Sequence, residues 1–210
     1  MAITKDDVLR WLAALVRVFA ENRERLTDLD REIGDADHGT NMDRGFRAVE
    51  AELAAHPPQD LRSVFQTAAT ALIRSVGGAA GPLYGTFFLR AATSCGAKPE
   101  LAPADVVLLF QAAIEGVQQR GKAMPGDKTM MDALLPALDS MRHALEDGRG
   151  VHEILNRGME AAEGGMLATV PMQARKGRAS YLGARSIGHQ DPGATSSYLL
   201  LKAAADTWRS

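Results

Sequence analysis

Three aspartates, Asp30, Asp35 and Asp37, fall within eight residues near the start of the chain. Gly34 and Gly39 lie among them, and glycines let a short segment fold tightly enough for carboxylates to converge. The spacing does not follow the twelve-residue calcium loop that ends on a glutamate, whereas Mg²⁺ uses a few carboxylates and keeps positions for water and phosphate oxygens. An isolated Asp-x-Asp is more typical of a turn, but three aspartates together indicate a magnesium site with a phosphate ligand.

Two glycine-containing segments could receive a phosphate. The run from Gly77 to Gly81 and the segment from His38 to Asn41 each precede or open a predicted helix, where free N–H groups and the helix dipole favour an anion. His38 could carry a phosphoryl group, act as a base or donate to a phosphate, and donation is the least demanding of these roles. The positive charges that could balance a polyphosphate are Lys128, Arg175, Lys176 and Arg178, each of which alone is more typical of a solvated loop.

Composition restricts the class of protein. The 210 residues carry 24 Lys and Arg against 26 Asp and Glu, a net charge of −2, which gives no general attraction to nucleic acid. No apolar run reaches the roughly 20 residues that span a bilayer, and one cysteine allows no internal disulfide. We therefore expect one domain over residues 1–210, located in the cytoplasm, with neither nucleic acid nor a membrane as its partner.

The elements that must position these residues are helices. Only 5% of the residues are aromatic, and no alternating run of β-branched residues between turn residues indicates a strand. The sequence predicts an all-α protein. The eight predicted helices run from about Thr4 to Leu26, Asn41 to Ala54, Asp60 to Ser75, Pro82 to Ser94, Ala102 to Arg120, just after Asp127 to Asp147 with a kink at Pro136, Val151 to Ala168, and Asp191 to the C-terminus.

Short connections between helices of this length favour an up-and-down bundle, in which alternate connections emerge at the same end. The first, third, fifth and seventh connections, residues 30–41, 77–82, 121–129 and 170–193, combine glycines with polar or charged residues. The other three, residues 56–59, 95–102 and 148–150, contain ordinary turn residues. The pattern therefore predicts a magnesium-assisted phosphate or nucleotide site at one rim of the bundle, with no indication of the substrate.

Four segments together resemble a known family. They are Gly34-Asp-Ala-Asp-His-Gly39, Gly77-Gly-Ala-Ala-Gly-Pro-Leu-Tyr-Gly85, Pro125-Gly-Asp-Lys-Thr-Met130, and Gly177-Arg-Ala-Ser-Tyr-Leu-Gly183 with Ser186-Ile-Gly-His-Gln-Asp-Pro-Gly-Ala-Thr195. In this order they are similar to the ADP-binding L subunits of bacterial dihydroxyacetone kinases, over essentially the whole chain. The resemblance implies a barrel of eight antiparallel helices with a nucleotide and two magnesium ions at one rim.

The resemblance also implies roles for individual residues, none of them a certain catalytic group. Asp30, Asp35 and Asp37 would hold the two Mg²⁺ ions. The phosphates would be contacted by His38, Gly39, Thr40, Asn41, Ala79 and Ala80, and the rest of the nucleotide pocket would be formed by Gly121, Met130, Arg178, Asp191, Pro192 and Gly193. Ala80 stands where the family usually has serine, so we expect a weaker phosphate contact through the remaining backbone N–H.

Partners follow from the resemblance as well. It implies a K subunit that binds dihydroxyacetone and an M subunit that relays phosphate from phosphoenolpyruvate, with ADP retained and rephosphorylated in place to ATP. Two alternatives stay open. The chain could be an L-type subunit of a ketose kinase that exchanges ATP, or a nucleotide-sensing module that docks on a transcription regulator.

Overall fold

The computed structural model describes residues 2–208. The α-helices of this part of the chain are α1 (Lys5–Glu21), α2 (Arg23–Ile33), α3 (His38–Ala55), α4 (Leu61–Ser75), α5 (Ala80–Cys95), α6 (Pro103–Gly121), α7 (Met131–Glu146), α8 (Val151–Ala168) and α9 (Pro192–Thr207). A 3₁₀ helix spans Arg178–Ser186 in the connection before α9. The prediction that the last helix reaches the C-terminus is wrong at Trp208, which is the C-cap of α9. The remainder of that prediction concerns residues 209–210, which lie outside the described residues.

The helices form a ring in chain order. From α3 onward each helix packs against the next, α1 and α2 both pack against α3, and α9 returns to pack against α1. The apolar faces point inward, and one continuous hydrophobic core runs from Ile3 to Trp208. The predicted all-α bundle is confirmed.

The prediction of a single first helix is wrong, because this part of the chain forms two helices, α1 and α2. α1 ends at Glu21, and Asn22 donates from its side-chain amide to the carbonyl oxygen of Val18 at 2.8 Å. Asparagine side chains compete in this way with the helical backbone. The chain then resumes as α2 and continues to Ile33, so that Asp30 lies on a helix and not in a loop.

Other helix starts differ from prediction at one end of the bundle only. α3 begins at His38 and not Asn41, α5 at Ala80 and not Pro82, and α7 at Met131 and not directly after Asp127. These three helices have no side-chain hydrogen bond from their N-cap residue. The predicted starts rested on Thr40, Pro82 and Asp127, which are residue types favoured at N-caps or in the first turn. None of these three residues is the N-cap in the structure, which explains the error.

At the opposite end a two-residue strand, β1 (Ile3–Thr4), pairs antiparallel with β2 (Glu100–Leu101). The sequence predicts no strand, and this expectation is wrong for these residues. Two residues are too few to show the alternation by which a strand is recognised. The pair fastens the start of the chain to the connection between α5 and α6.

An aromatic cluster fills the core near this end. The Trp11 ring centroid lies 5.2 Å from that of Trp208, 5.7 Å from that of Phe88 and 6.2 Å from that of Phe110. Trp11 donates through Nε1 to the carbonyl oxygen of Leu200 and Trp208 to that of Asp7, each at 3.1 Å. Both indoles are therefore fully buried with their N–H groups satisfied. None of the helices among residues 2–208 is both long and apolar enough to cross a membrane.

Candidate functional site

A cavity of about 200 Å³ opens between the connections α2–α3, α4–α5, α6–α7 and α8–α9. These are the four connections that the sequence predicts at one end, and none of the other three contributes a lining residue. The alternation of helix direction therefore brings residues as far apart as Asp30 and Gly193 to one rim, as predicted.

The three aspartates converge at this rim. Asp30, Asp35 and Asp37 each offer a carboxylate oxygen within 4.8 Å of the others. Asp30 is buried at the end of α2, and its Oδ2 accepts from the backbone N–H groups of Asp37 at 2.9 Å and His38 at 3.1 Å. These bonds fold the segment back over Asp30, so the carboxylates share one face.

Gly34 and Ala36 make this fold-back feasible. A Cβ atom at position 34 would lie 2.0 Å from Oδ1 of Asp30, so any larger residue would displace that carboxylate. Ala36 has φ of +60°, a left-handed conformation that costs a non-glycine residue about 1 kcal/mol or more. This conformation of Ala36 turns the chain between Asp35 and Asp37. Backbone strain of this kind is concentrated at functional sites.

Arg178 reaches the acidic cluster from the 3₁₀ helix. Its Nη1 atom lies 2.8 Å from Oδ2 of Asp35, with both side chains partly exposed. A pair this accessible to water contributes about 1 kcal/mol at most. Its importance is positional, because it draws the segment before α9 across the cavity toward the carboxylates.

The start of α5 is suited to bind an anion. Gly78 takes φ of +63°, Ala79 is the N-cap, and α5 begins at Ala80 with no side-chain cap. The first N–H groups of such a helix have no intrahelical partner, and here they border the cavity. The glycine run thus supplies the free N–H groups that a phosphate requires.

The start of α9 differs, because its N-cap carries a buried carboxylate. Asp191 accepts at Oδ2 from the backbone N–H of Ala194 at 2.6 Å. Burial raises the pKa of Asp191 to about 7, the Ala194 bond opposes this increase, and the nearby carboxylates of Asp132 and Asp30 add to it. The connection between α8 and α9 therefore contains a carboxyl group whose pKa is near neutral pH.

Lys128 is also buried, so its interpretation as a solvated loop charge is wrong. Its Nζ donates to the carbonyl oxygens of Met172, at 3.0 Å, and Ser186. Burial lowers the pKa of Lys128, and the residue has φ of +61°. Lys128 therefore ties the segment before α9 to the connection between α6 and α7.

An apolar side cavity adjoins the first. Leu83, Val117, Gly121 and Met130 are among its lining residues, and Leu83 and Met130 line both cavities. Met130 and Met131 are buried, as expected for core residues, and both also face this side cavity. Its largely apolar lining suits a largely apolar group held beside an anion.

Most of the predicted site residues meet at this rim. The main cavity is lined by Asp30, Asp35, Asp37, His38, Asn41, Ala79, Ala80, Met130, Arg178, Asp191, Pro192 and Gly193, and the side cavity by Gly121. Gly39 instead packs against α2, where a Cβ atom would lie 2.0 Å from the carbonyl oxygen of Arg23, and Thr40 lines a groove on the outer side of α2. The ligand contacts of all these residues stay predictions.

Sequence reasoning did not single out Tyr84 or Ser196. Tyr84 lines the cavity from inside the glycine motif, and Ser196 hydrogen-bonds both Tyr84 and His38. Neither the glycine motif around Tyr84 nor the hydroxyl residues on either side of Ser196 indicate a particular role, so only their position relative to His38 reveals one.

The chain is similar to known proteins over nearly its whole length. Residues 32–206 match the DAK2 domain family. The chain is 46% identical over 202 residues to the ADP-binding subunit DhaL of the PEP-dependent dihydroxyacetone kinase of Escherichia coli, covering 96% of each chain. It is 40% identical over 207 residues to that of PEP-dependent dihydroxyacetone kinase 1 of Listeria innocua, covering 99% of this chain and 98% of the relative.

Two longer proteins are similar to this chain over part of their length. Triokinase/FMN cyclase of Bos taurus is 33% identical over 204 residues, which are 97% of this chain and 34% of that protein. The crystal structure of C. freundii dihydroxyacetone kinase in complex with AMP-PNP and Mg²⁺ superposes with a TM-score of 0.72 at 24% identity, over 98% of this chain and 34% of that one. The structural likeness shows a shared fold.

Proposed function

Since this chain belongs to the DAK2 domain family, we propose that it is the nucleotide-binding subunit of a dihydroxyacetone kinase, a single nucleotide-binding domain that works in the cytoplasm. The observation that supports this proposal best is the convergence of three carboxylates and an uncapped helix N-terminus at one cavity. Similarity to two ADP-binding subunits over nearly their whole length points to the same role.

The carboxylates fit magnesium. They offer only oxygen donors, and oxygens within 4.8 Å of one another need little movement to share a cation whose ligands lie at about 2.1 Å. Asp30, Asp35 and Asp37 would hold two such ions, which when bound neutralise the charge on the phosphate oxygens. Asp30 is fixed by the N–H groups of Asp37 and His38 through Oδ2, which leaves Oδ1 for a cation.

The remaining residues would orient an ADP or ATP molecule. Free N–H groups at Ala79 and Ala80 would face the phosphates, and Arg178 would add positive charge from the opposite side. The base would occupy the apolar side cavity beside Gly121 and Met130. Positioning of this kind, together with charge neutralisation, supplies most of the catalysis in phosphoryl transfer.

We propose that the acceptor and the phosphoryl source belong to partner subunits, a K-type subunit that binds dihydroxyacetone and an M-type subunit that relays phosphate from phosphoenolpyruvate. The names of the E. coli and Listeria relatives support the phosphoenolpyruvate source. The name of the longer relative, triokinase/FMN cyclase, does not mention phosphoenolpyruvate, so a subunit that exchanges bulk ATP stays the second candidate.

Native mass spectrometry with and without Mg²⁺ tests the nucleotide site. We expect an added mass equal to ADP that depends on magnesium, and its loss in Asp35→Asn and Asp37→Asn with the helical circular-dichroism signal unchanged. Asp28→Asn is the matched control, because Asp28 lies on α2, is exposed and forms an ion pair with the exposed Arg31. Unaltered ADP retention in both site variants would refute the metal assignment.

A reconstituted assay separates the two phosphoryl sources. The protein is mixed with purified K-type and M-type subunits and dihydroxyacetone, and either phosphoenolpyruvate with its relay proteins or ATP is supplied. We expect turnover with phosphoenolpyruvate at substoichiometric ADP. Turnover with bulk ATP alone would favour the exchanging subunit, and firm ADP binding without any turnover would favour a sensing module that docks on a regulator.

A further inference from the structure

A buried chain of hydroxyl groups lies behind the acidic cluster and ends on His38. The Tyr84 hydroxyl donates to Oγ of Ser196 at 2.7 Å, and the same Oγ lies 2.9 Å from Nε2 of His38. Tyr84 belongs to α5, Ser196 to α9 and His38 to α3. Tyr84 and Ser196 are buried, so three helices meet at one polar contact that is shielded from water.

The direction of the hydrogen bond between Ser196 and His38 depends on which of the two groups has a hydrogen left to donate. A serine hydroxyl has one hydrogen to donate and two lone pairs to accept. Ser196 donates its hydrogen to the carbonyl oxygen of Gly193 at 3.0 Å, and the Tyr84 phenol donates to one lone pair. Burial raises the pKa of Tyr84 to about 12, so the phenol keeps its proton. The second lone pair of Ser196 faces His38 Nε2. Nε2 must therefore carry a hydrogen and donate it to Ser196.

We propose that Tyr84 and Ser196 are positioning residues that hold His38 in the Nε2–H tautomer and leave its Nδ1 lone pair for the cavity that the ring lines. A lone pair accepts hydrogen bonds, so its partner is a donor such as water on a bound divalent cation. In this tautomer the neutral ring cannot donate from Nδ1 to a phosphate oxygen, so the proposal differs from the donating role that the sequence suggested. Only the identity of the ligand in the cavity rests on the proposed function.

Nitrogen NMR of the nucleotide-free protein measures the tautomer directly. In ¹⁵N-labelled protein at pH 8, with the His38 signals assigned by their loss in His38→Gln, we expect a protonated Nε2 and an unprotonated Nδ1. In Ser196→Ala the two signals should shift toward each other, as in a ring that exchanges between tautomers. Ser197→Ala is the control, because Ser197 is equally buried and lies 3.4 Å from Tyr84 without touching His38, and its signals should match the unsubstituted protein.

Two results would overturn the positioning role. One is a protonated Nδ1 in the unsubstituted protein, which would mean that Ser196 donates to His38. The other is an unshifted His38 spectrum in Ser196→Ala. If Ser196→Ala does not fold, Tyr84→Phe replaces it, because loss of the phenol donor frees the Ser196 hydrogen to turn toward Nε2 and should raise the Nδ1–H fraction. An unchanged spectrum in Tyr84→Phe then counts against the proposal.

Calorimetric titration with Mg²⁺ and ADP tests the consequence for the ligand. Ser196→Ala should weaken ADP binding about three- to tenfold, the effect of one misplaced hydrogen-bonding group, and Ser197→Ala should not. Equal affinity in Ser196→Ala and the unsubstituted protein would contradict this consequence. Failure of the unsubstituted protein to bind ADP would instead refute the proposed function, and the tautomer measurement would still decide the positioning role.

Discussion

At the end of the bundle that holds the start of the chain, α1 and α4 begin with complete capping boxes, whereas at the cavity end α3 and α5 begin with no side-chain cap. In α1 the side chains of Thr4 and Asp7 each accept from the other residue's backbone N–H, and Asp60 and Ser63 do the same in α4. At the cavity end α5 instead leaves N–H groups for a ligand at Ala80, whereas α9 is capped by Asp191. The difference therefore concerns individual helices, since α6 and α8 begin at the first end and also have no side-chain cap.

The two ends differ more clearly in backbone strain and buried charge. The first end has the strand pair and lies near the aromatic cluster around Trp11. The cavity end contains Ala36 and Lys128 with positive φ and the buried charge of Asp191. Strain and buried charge reduce stability, so the comparison indicates that the core and the first end supply the stability on which a ligand-binding end depends.

The largest expected effect comes from Trp11→Ala. Removal of this buried indole leaves a hole among three aromatic rings, and such changes cost about 3–5 kcal/mol of unfolding free energy. Urea denaturation measures the loss. Leu108→Ala, at a side chain that is 53% exposed, is the control and should change stability by less than about 0.5 kcal/mol. A loss below about 1 kcal/mol for Trp11→Ala would contradict the stabilising role of the cluster.

Next in size is a pH effect from Asp191. Because its pKa is about 7 in the folded protein and 3.8 is the ordinary value, the folded state holds this proton where the unfolded state has lost it. Stability should therefore fall as the pH rises from about 4 to about 7, by at most about 1.4 kcal/mol per unit from this group, and then level off. Urea unfolding of metal-free protein across this range should show a shallower fall for Asp191→Asn. Parallel pH curves for the two proteins would refute the assignment.

Gly34→Ala should affect binding more than stability. The added Cβ would displace the Asp30 carboxylate, so we expect ADP affinity with Mg²⁺ to fall at least about tenfold, or about 1.4 kcal/mol, in calorimetric titration. Gly164→Ala is matched to it, because a Cβ there meets nothing within 4 Å and alanine favours a helix. If both variants bind ADP equally, the close approach of Gly34 to Asp30 has no functional consequence.

The smallest expected effect is that of Ala80→Ser. The added hydroxyl lies at the start of α5 beside the cavity, so ADP retention should be preserved or tightened, by about 0.5–1.5 kcal/mol at most. The ADP dissociation rate measures it, with Ala97→Ser in the connection between α5 and β2 as the control. A clear loosening of ADP in Ala80→Ser would count against phosphate contact at this position.

Much of the fold was predictable because its signals are local. Helical periodicity marks the faces that carry Val8, Leu12 and Phe19, and all three are buried. Thr4 and Asp60 mark helix starts, because each is an N-cap residue with its capping partner three residues later. The break at Asn22 was not predicted, because asparagine also occurs inside helices and only the structure shows its side chain bonded to the Val18 carbonyl oxygen. The starts of α3, α5 and α7 were misplaced because no N-cap side chain marks them.

The sequence by itself determined the helical class, the four polar connections at one rim and the convergence of the three aspartates. The first and third depend on residue types at short spacing, and the second follows from the alternating direction of consecutive helices. Only the tertiary structure decided that Gly39 packs against α2, that Lys128 is buried on two carbonyl oxygens, and that Ser196 meets His38. These contacts join residues up to 158 positions apart. Burial and hydrogen-bond direction at such distances arise from the packing of whole helices, which no local pattern encodes.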